Sequence, residues 1–511
     1  MLDYCSILLL LLHVTTFGAI LGQLFLPRST NSWTRIGASG CIGMLAFGLE
    51  ILVLGYIGAL DKLNLCVSSG VMLIALIVWL SRKAGDIGME ARGFARALVQ
   101  EARTHKWLAL ISAATLVALL GCCWWPPLAT DELEYHWAAP QFWAHAAKWI
   151  AAPYKLVNGP ALMEWVYTWS AIWQSSTSAH FTHWLLTVFL LCGAAGIAVT
   201  IRSSALVALA SCLAIPVIVC QAAISYNDVA MSAFLVNAYS ILFGLDEESE
   251  ELNARKHIST GVLLGAGYLT KSLALGAVPI AVLYAWSRRS KIALHRRSLS
   301  CCLMIVPIVA MVIVGCAHTY QLTGKLSDPS RTPQIGTIPP KPNYAAAIYI
   351  ARDSSDPMLS NGCAAGRIPT WKDLALLPLT PFITSILGQN EPYGGRTGIL
   401  LLMFLPFVAS WIRRTNLVHL WLLLAAAGYF AVVAPVFIKT RFHIFVWVLL
   451  SVCATAAYTG LAKTKNNRVM SALLVFAVAL GIADAGRTLY KMHSIYAAEP
   501  LSQQAVAGED R

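Results

Sequence analysis

Long apolar runs follow one another along most of the chain, and they limit the possible folds more than any other feature. Of the 511 residues, 58% are hydrophobic and only 12% are charged, which excludes a soluble globular protein of this size. An apolar run of about 17 to 25 residues crosses a bilayer as a helix. We therefore predict an all-α polytopic membrane protein with about 14 transmembrane helices and interfacial helices in one external loop.

The basic segments orient the predicted spans. Cytoplasmic loops are enriched in Lys and Arg, which assigns segments 81–106 and 288–298 to the inside. Segment 246–257 is also assigned to the inside. Because the segments on both sides of 258–286 are then inside, this stretch must cross the membrane an even number of times. We predict a hairpin of two half-length helices that turns near Lys271. Both termini then lie outside. The predicted single spans are at about 5–26, 36–60, 65–80, 107–123, 179–200, 204–222, 229–245, 299–317, 398–412, 417–437, 443–461 and 469–484.

These spans divide the chain into four regions. Residues 1–106 contain three helices and a basic cytoplasmic linker, and residues 107–317 form a membrane core with an acidic external loop. Residues 318–397 form an external, loop-rich region, and residues 398–511 hold the last helices and an external tail. The net charge of +12 is loop charge that orients helices, and it does not indicate nucleic-acid binding. The cysteines lie mostly in apolar runs, without a disulfide framework or a C-x-x-C metal site.

An acidic motif follows the fourth predicted span. The segment from Trp124 reads WWPPLATDELEYHWAAP, in which Trp suits the headgroup layer and Pro ends the helix. Carboxylates at a membrane surface are costly unless they have a task or a partner. The motif supplies four candidate site residues, Asp131, Glu132, Tyr135 and His136. The alternative is a solvated loop with a helix cap at Thr130 or Asp131.

Three further charged residues are predicted on the same face of the membrane. Asp228 begins a span, Lys271 lies at the tip of the predicted hairpin, and Arg441 precedes a late span. A carboxylate can deprotonate an incoming hydroxyl or amine, and Lys and Arg can hold a phosphate as negative charge develops on it. Each residue also has a plainer explanation. Asp228 could be a helix cap, Lys271 a snorkelling side chain and Arg441 an interfacial anchor.

Four segments, taken in order, resemble the GT-C superfamily of integral membrane glycosyltransferases. They are similar to the bacterial branch related to protein O-mannosyltransferases and lipid A aminoarabinose transferases. The match covers roughly residues 107–450. The segments are DELEYH from Asp131, SYNDVAMSAF from Ser225, GVLLGAGYLTKSLALGAVP from Gly261 and RFHIF from Arg441.

The resemblance implies an inverting transfer of a sugar from a polyprenyl-phosphate donor to an extracytoplasmic glycolipid, glycan or protein. Asp131 and Glu132 would be catalytic, with Asp131 the leading general base. Tyr135, His136 and Asp228 would bind substrate or acceptor, and Lys271 and Arg441 would bind the donor phosphate. A divalent metal is possible in this family. The protein would lie in a bacterial inner membrane with its active side facing outward.

Two other functions fit the sequence. A transporter or flippase of an amphipathic lipid would also have many spans and a helix broken near Lys271. A non-catalytic assembly subunit would need none of the charged residues.

Overall fold

The computed structural model describes an all-α protein, which confirms the predicted fold class. No β-strand occurs among the residues that it describes. These residues are 2–127, 129, 131–152, 158–244, 250–287, 294–326, 397, 417–434, 440–462 and 467–497. The predicted span 398–412 and nearly all of the predicted loop region 318–397 lie outside them.

Sixteen α-helices can be followed through the described residues. The first eight are α1 Leu2–Phe25, α2 Ser32–Tyr56, α3 Lys62–Thr104, α4 Lys106–Cys122, α5 Ala138–Ala146, α6 Leu162–Ile172, α7 Ser176–Thr200 and α8 Ala205–Leu213. The others are α9 Pro216–Gln221, α10 Asp228–Leu242, α11 Glu250–Thr270, α12 Val278–Ser287, α13 Leu294–Thr323, α14 Leu417–Val433, α15 Ile444–Ala462 and α16 Asn467–Ala497.

Helix length and composition support a polytopic membrane protein. Seven helical segments of the described chain are long and apolar enough to cross a membrane, or eight if the bent pair α3–α4 counts as a further span. Three shorter apolar helical segments accompany them: Asp228–Leu242, Ser272–Ser287 and Val418–Val433. The predicted count of about 14 crossings stays a prediction.

The helix core is built around α2, α7, α10 and α11. Helix α10 packs against α7 and α11, α2 packs against α1 and α7, and α11 packs against α13. The Gly-rich face of α2 permits close approach of the neighbouring helices. A Cβ atom at Gly43 would fall on the Val14 carbonyl of α1, and one at Gly37 would meet Asn237 of α10. These contacts join the first helices to the core.

Three predicted segments have a different structure. The basic linker 81–106 is helical as far as Thr104 and bends by 114° into α4. Its Ala and Arg residues favour helix over loop. The predicted span 204–222 is two short helices, because Pro216 begins a new helix and cannot donate a backbone hydrogen bond.

The third difference is the predicted hairpin 258–286. Its first arm is the 21-residue helix α11, which begins in the charged segment at Glu250, so this arm is not half-length. The break is where the sequence predicts it. Helix α11 ends at Thr270, and Lys271 precedes a 3-10 helix, Ser272–Ala277, which leads into α12.

The sequence predicts one or two helices in the Trp-rich segment after Gln141, with the tryptophans forming a belt at the outer membrane surface. The segment contains two short helices, α5 and α6, but its tryptophans are buried in protein, so the predicted belt is wrong. All five side chains are at most 8% exposed: Trp143, Trp149, Trp165, Trp169 and Trp173. They pack between helices, and Trp149 donates its indole N–H to the Leu52 carbonyl at 2.7 Å.

Candidate functional site

Four charged side chains from four distant stretches of sequence meet at one place. Arg441 Nη2 donates to Asp131 Oδ2 at 2.5 Å, and Lys271 Nζ donates to Asp228 Oδ1 at 2.5 Å. Arg441 Nε lies 3.7 Å from Asp228 Oδ2. The four residues therefore alternate in charge, in the order Asp131, Arg441, Asp228, Lys271. We call them the charged cluster.

Helix ends hold each member of the charged cluster. Asp131 precedes a single π-helical turn, Glu132–His136, and Asp228 is the first residue of α10. A carboxylate is favoured at a helix N-terminus because the backbone N–H groups there carry partial positive charge. Lys271 follows the last residue of α11, and Arg441 lies in a 3-10 helix that leads into α15. Each charge therefore lies at or beside the end of a helical segment.

The cluster is buried unevenly. The Asp228 side chain is 2% exposed, and the Arg441 side chain is 11% exposed. Lys271 and Asp131 are 20% and 24% exposed. A buried carboxylate needs cations beside it, and Asp228 has one on each side. Burial lowers the pKa of Lys271, and the charge of Arg441 adds to this effect, while Asp228 opposes it.

Two aromatic side chains complete the cluster. The Phe442 ring lies 4.3 Å from Lys271 Nζ and 5.1 Å from the Arg441 guanidinium carbon. The Tyr226 ring lies 5.0 Å from the same guanidinium carbon, a distance typical of a cation–π contact. The Tyr226 hydroxyl also accepts a hydrogen bond from the Asp131 backbone N–H at 3.3 Å. Tyr226 and Phe442 are not among the predicted site residues, although both lie close in sequence to residues that are.

Glu132 lies behind the charged cluster and connects three chain segments. Its Oε1 atom is 2.6 Å from His180 Nε2 on α7 and accepts the Ser225 backbone N–H at 2.9 Å. Its Oε2 atom accepts the Ala129 backbone N–H at 3.3 Å. Both Glu132 and His180 are 1% exposed. Glu132 thereby fixes the segment before Asp131 to the segment before Asp228.

His136 and Tyr135 form the neighbouring part of the site. His136 Nδ1 lies 2.5 Å from Glu164 Oε1, and both side chains are buried. The Tyr135 ring lies 4.2 Å from the His136 ring, and the Tyr226 ring lies 5.4 Å from it on another element. Burial raises the pKa of the Tyr135 hydroxyl well above its usual value, and the Asp131 carboxylate adds to the rise. Tyr135 therefore stays protonated at neutral pH.

All seven predicted site residues thus lie in or beside one site. Four of them form the charged cluster, and Tyr135 is linked to the cluster through His136 and Tyr226. Glu132 and His136 lie behind the cluster, where Glu132 pairs with His180 and His136 pairs with Glu164. The sequence also predicts Lys439 on this face of the membrane, and that residue lies outside the described residues. Glu164 and His180 were missed by the sequence reasoning. The available signal was that each is an ionisable residue in a largely apolar segment.

A metal site is not evident in the described part of the chain. No group of three or more His, Cys, Asp or Glu side chains there could hold a metal ion. Asp131 and Asp228 are the carboxylates closest to the centre of the charged cluster, and each already contacts a cation of the protein.

The chemistry available to this arrangement is that of an anion-binding site with an acid/base group. Arg441 can present several N–H donors to a phosphate, and Lys271 can add a point charge. Asp131 is the most exposed member of the cluster, so an incoming group can reach its carboxylate.

Comparison with known protein families and with curated proteins found no match. Among solved structures, the chain is similar to ArnT from Cupriavidus metallidurans bound to undecaprenyl phosphate, at 16% sequence identity and a TM-score of 0.45. The alignment covers 80% of this chain and 66% of that one. A likeness at this identity and TM-score carries no functional argument. The function proposed for this chain therefore rests on its side-chain contacts.

Proposed function

We propose that the protein is a membrane glycosyltransferase of the GT-C type. It moves a sugar from a polyprenyl-phosphate donor to an acceptor outside the cytoplasm, such as a glycolipid, an envelope glycan or a protein. The observation that carries this proposal is the charged cluster. It joins two cations, Arg441 and Lys271, through Asp228, and a partly exposed carboxylate, Asp131, contacts Arg441. We infer that the cations bind a phosphate and that a lipid donor reaches them through the membrane.

The proposed reaction is a single displacement with inversion. The acceptor oxygen or nitrogen forms a bond to the anomeric carbon from the face opposite the phosphate. The bond from that carbon to the phosphate oxygen breaks, and its electron pair stays on the phosphate. Arg441 and Lys271 stabilise the charge that develops there. Asp131 accepts the proton that the acceptor loses.

The other residues position these groups. Asp228 lies between Lys271 and Arg441 and holds both cations at fixed places. Glu132 acts indirectly, because its carboxylate is fully buried and already accepts hydrogen bonds from two backbone N–H groups. We propose that the acceptor binds near Tyr135 and His136, whose rings lie 4.2 Å apart.

The proposed location is a bacterial plasma membrane with the charged cluster facing the exterior. The basic segments 81–106 and 288–298 support this orientation, since such segments stay in the cytoplasm. A donor that arrives within the membrane explains the absence from the sequence of a P-loop and of a dinucleotide-binding fingerprint.

The test is transfer from labelled polyprenyl-phosphate sugars in membranes that contain the full chain. Asp131→Asn should lower the initial rate by about 100-fold or more, since a positioned acid/base group contributes about 10²- to 10⁴-fold. Asp61→Asn is the matched control, because Asp61 caps α3 and Asn caps equally well. The proposal fails if the wild-type protein transfers no label from any donor of a broad panel. Movement of intact donor across the membrane would favour a flippase instead.

A further inference from the structure

Both cations of the charged cluster are occupied by carboxylates of the protein itself. Lys271 contacts Asp228, and Arg441 contacts Asp131. The two carboxylates are not equivalent, because Asp228 is 2% exposed and Asp131 is 24% exposed. A ligand that approaches Arg441 therefore meets Asp131 first, while Asp228 remains beneath.

We propose that Asp131 occupies the phosphate position on Arg441 in the lipid-free protein, and that the phosphate of the donor displaces it. The inference rests on the proposed function and adds a form of regulation to the same site. Carboxylate and phosphate both use the N–H donors of a guanidinium group. The Asp131 oxygen at 2.5 Å from Nη2 therefore competes with a phosphate oxygen for that nitrogen.

Displacement also changes the basicity of Asp131. The groups that face it are the Arg441 guanidinium, the hydroxyls of Tyr226 and Tyr135, and, farther off, Asp228 and Lys271. While Arg441 is paired with Asp131, the carboxylate is a weak base, because a nearby cation favours its charged form. When Arg441 turns to a phosphate, Asp131 loses a positive neighbour and gains a negative one. Its affinity for a proton then rises.

The protein thereby couples donor binding to activation of the base. An empty site holds Asp131 in its pair with Arg441, and an acceptor that arrives first finds no free base. A filled site presents the carboxylate to the acceptor. Donor should therefore bind before acceptor can react.

The inference makes an unusual prediction for affinity. Removing the charge of Asp131 takes away the competitor, so Asp131→Asn should bind a polyprenyl monophosphate about tenfold more tightly than wild type, the size expected for a partly buried ion pair. Arg441→Gln should bind it about tenfold more weakly. In the double variant, Asp131→Asn should bring almost no gain, because the contested nitrogen is absent.

The experiment is a titration of the full chain in nanodiscs with a polyprenyl monophosphate, and then with inorganic phosphate. Asp61→Asn is the charge-removal control and should match wild type. Arg441→Lys keeps the charge without the fork, and a thermal unfolding curve for each variant shows that it is folded.

Two results would overturn the inference while leaving the proposed function intact. One is wild-type binding that Asp131→Asn leaves unchanged or weakens. The other is a gain that persists at full size without Arg441, which would show a general charge effect rather than competition. If no folded variant, wild type included, binds the lipid phosphate, the proposed function fails and the inference fails with it. Tighter binding by Asp131→Asn, lost in the double variant, supports both.

Discussion

Glu132 provides a sharp test of how the site is held together. Its carboxylate accepts two backbone N–H groups and contacts His180 Nε2 at 2.6 Å. His180 Nδ1 carries a proton, because it donates to the Cys123 carbonyl at 3.2 Å. When Nε2 donates to a charged Glu132 as well, both ring nitrogens carry a proton and His180 is positively charged. The two N–H donors favour that charged form. We therefore expect a buried carboxylate–imidazolium pair.

Glu132→Ala would remove one partner of this pair and leave the other buried. Breaking a buried ion pair in this way costs about 3–5 kcal/mol. The substitution would also leave the backbone N–H groups of Ala129 and Ser225 without their acceptor, at about 1–3 kcal/mol for each group that water cannot reach. These costs do not add fully, so we expect a loss of at least about 3 kcal/mol in the free energy of unfolding.

The same substitution should slow transfer. Glu132 joins the segment before Asp131 to the segment before Asp228, and a misplacement of about 1 Å can lower a rate by about 10²-fold. We expect kcat to fall by about 100-fold, with a smaller change in affinity for the lipid phosphate. Glu132→Gln keeps the shape and one acceptor oxygen, so it should recover part of the rate.

The assay combines thermal unfolding in detergent with single-donor transfer rates. Glu101→Ala is the matched control, because Glu101 also accepts hydrogen bonds from three donors, namely the Ser204 hydroxyl and the backbone N–H groups of Ala205 and Leu206 at the start of α8. The control should lower stability and leave kcat of the folded fraction near that of wild type. A Glu132→Ala protein with normal stability and a normal rate would refute the reasoning.

Three further predictions address the charged cluster. Arg441→Lys should lower the transfer rate at least about tenfold despite the retained charge, because Lys cannot present a planar fork; steady-state kinetics would show this, and a normal rate would contradict it. Binding of lipid phosphate should weaken as pH rises through the lowered pKa of Lys271, since only the protonated amine attracts phosphate. In a binding titration at several pH values, Lys271→Arg should move this loss of affinity to higher pH. A loss at the same pH in the variant would show that Lys271 does not bind the phosphate. Tyr226→Phe removes one hydrogen bond to Asp131, so it should lower the free energy of unfolding by about 0.5–1.5 kcal/mol and the transfer rate only slightly. Denaturant unfolding measures this loss, and a clearly larger loss would contradict the prediction.

The sequence pattern, together with the resemblance to the GT-C superfamily, was sufficient to find the members of the charged cluster. Asp131 follows a predicted span, Asp228 and Arg441 precede predicted spans, and Lys271 lies at the tip of the predicted hairpin. An unpaired charge would be costly at such places. Such positions can be recognised one at a time. The assumption that they share a membrane face then brings them together, and the structure shows the contacts.

The two buried pairs behind the charged cluster could not be predicted from the sequence. Glu164 lies 28 residues from His136, and Glu132 lies 48 residues from His180, and no local pattern links either pair. The burial of Trp165 and its neighbours also depends on which helices cover them. Helix α3 continues through the predicted basic linker, because charge marks the side of the membrane and does not end a helix. Pairing and coverage are tertiary properties, which periodicity and charge along one sequence do not encode.

The most direct measurement is an experimental structure of the full chain with a bound polyprenyl phosphate. We predict phosphate oxygens about 2.8 Å from Arg441 and Lys271 nitrogens, with the Asp131 carboxylate turned away from Arg441 and open to the acceptor side. A lipid phosphate bound elsewhere, with the contact between Asp131 and Arg441 unchanged, would contradict the central claim that the charged cluster binds the donor.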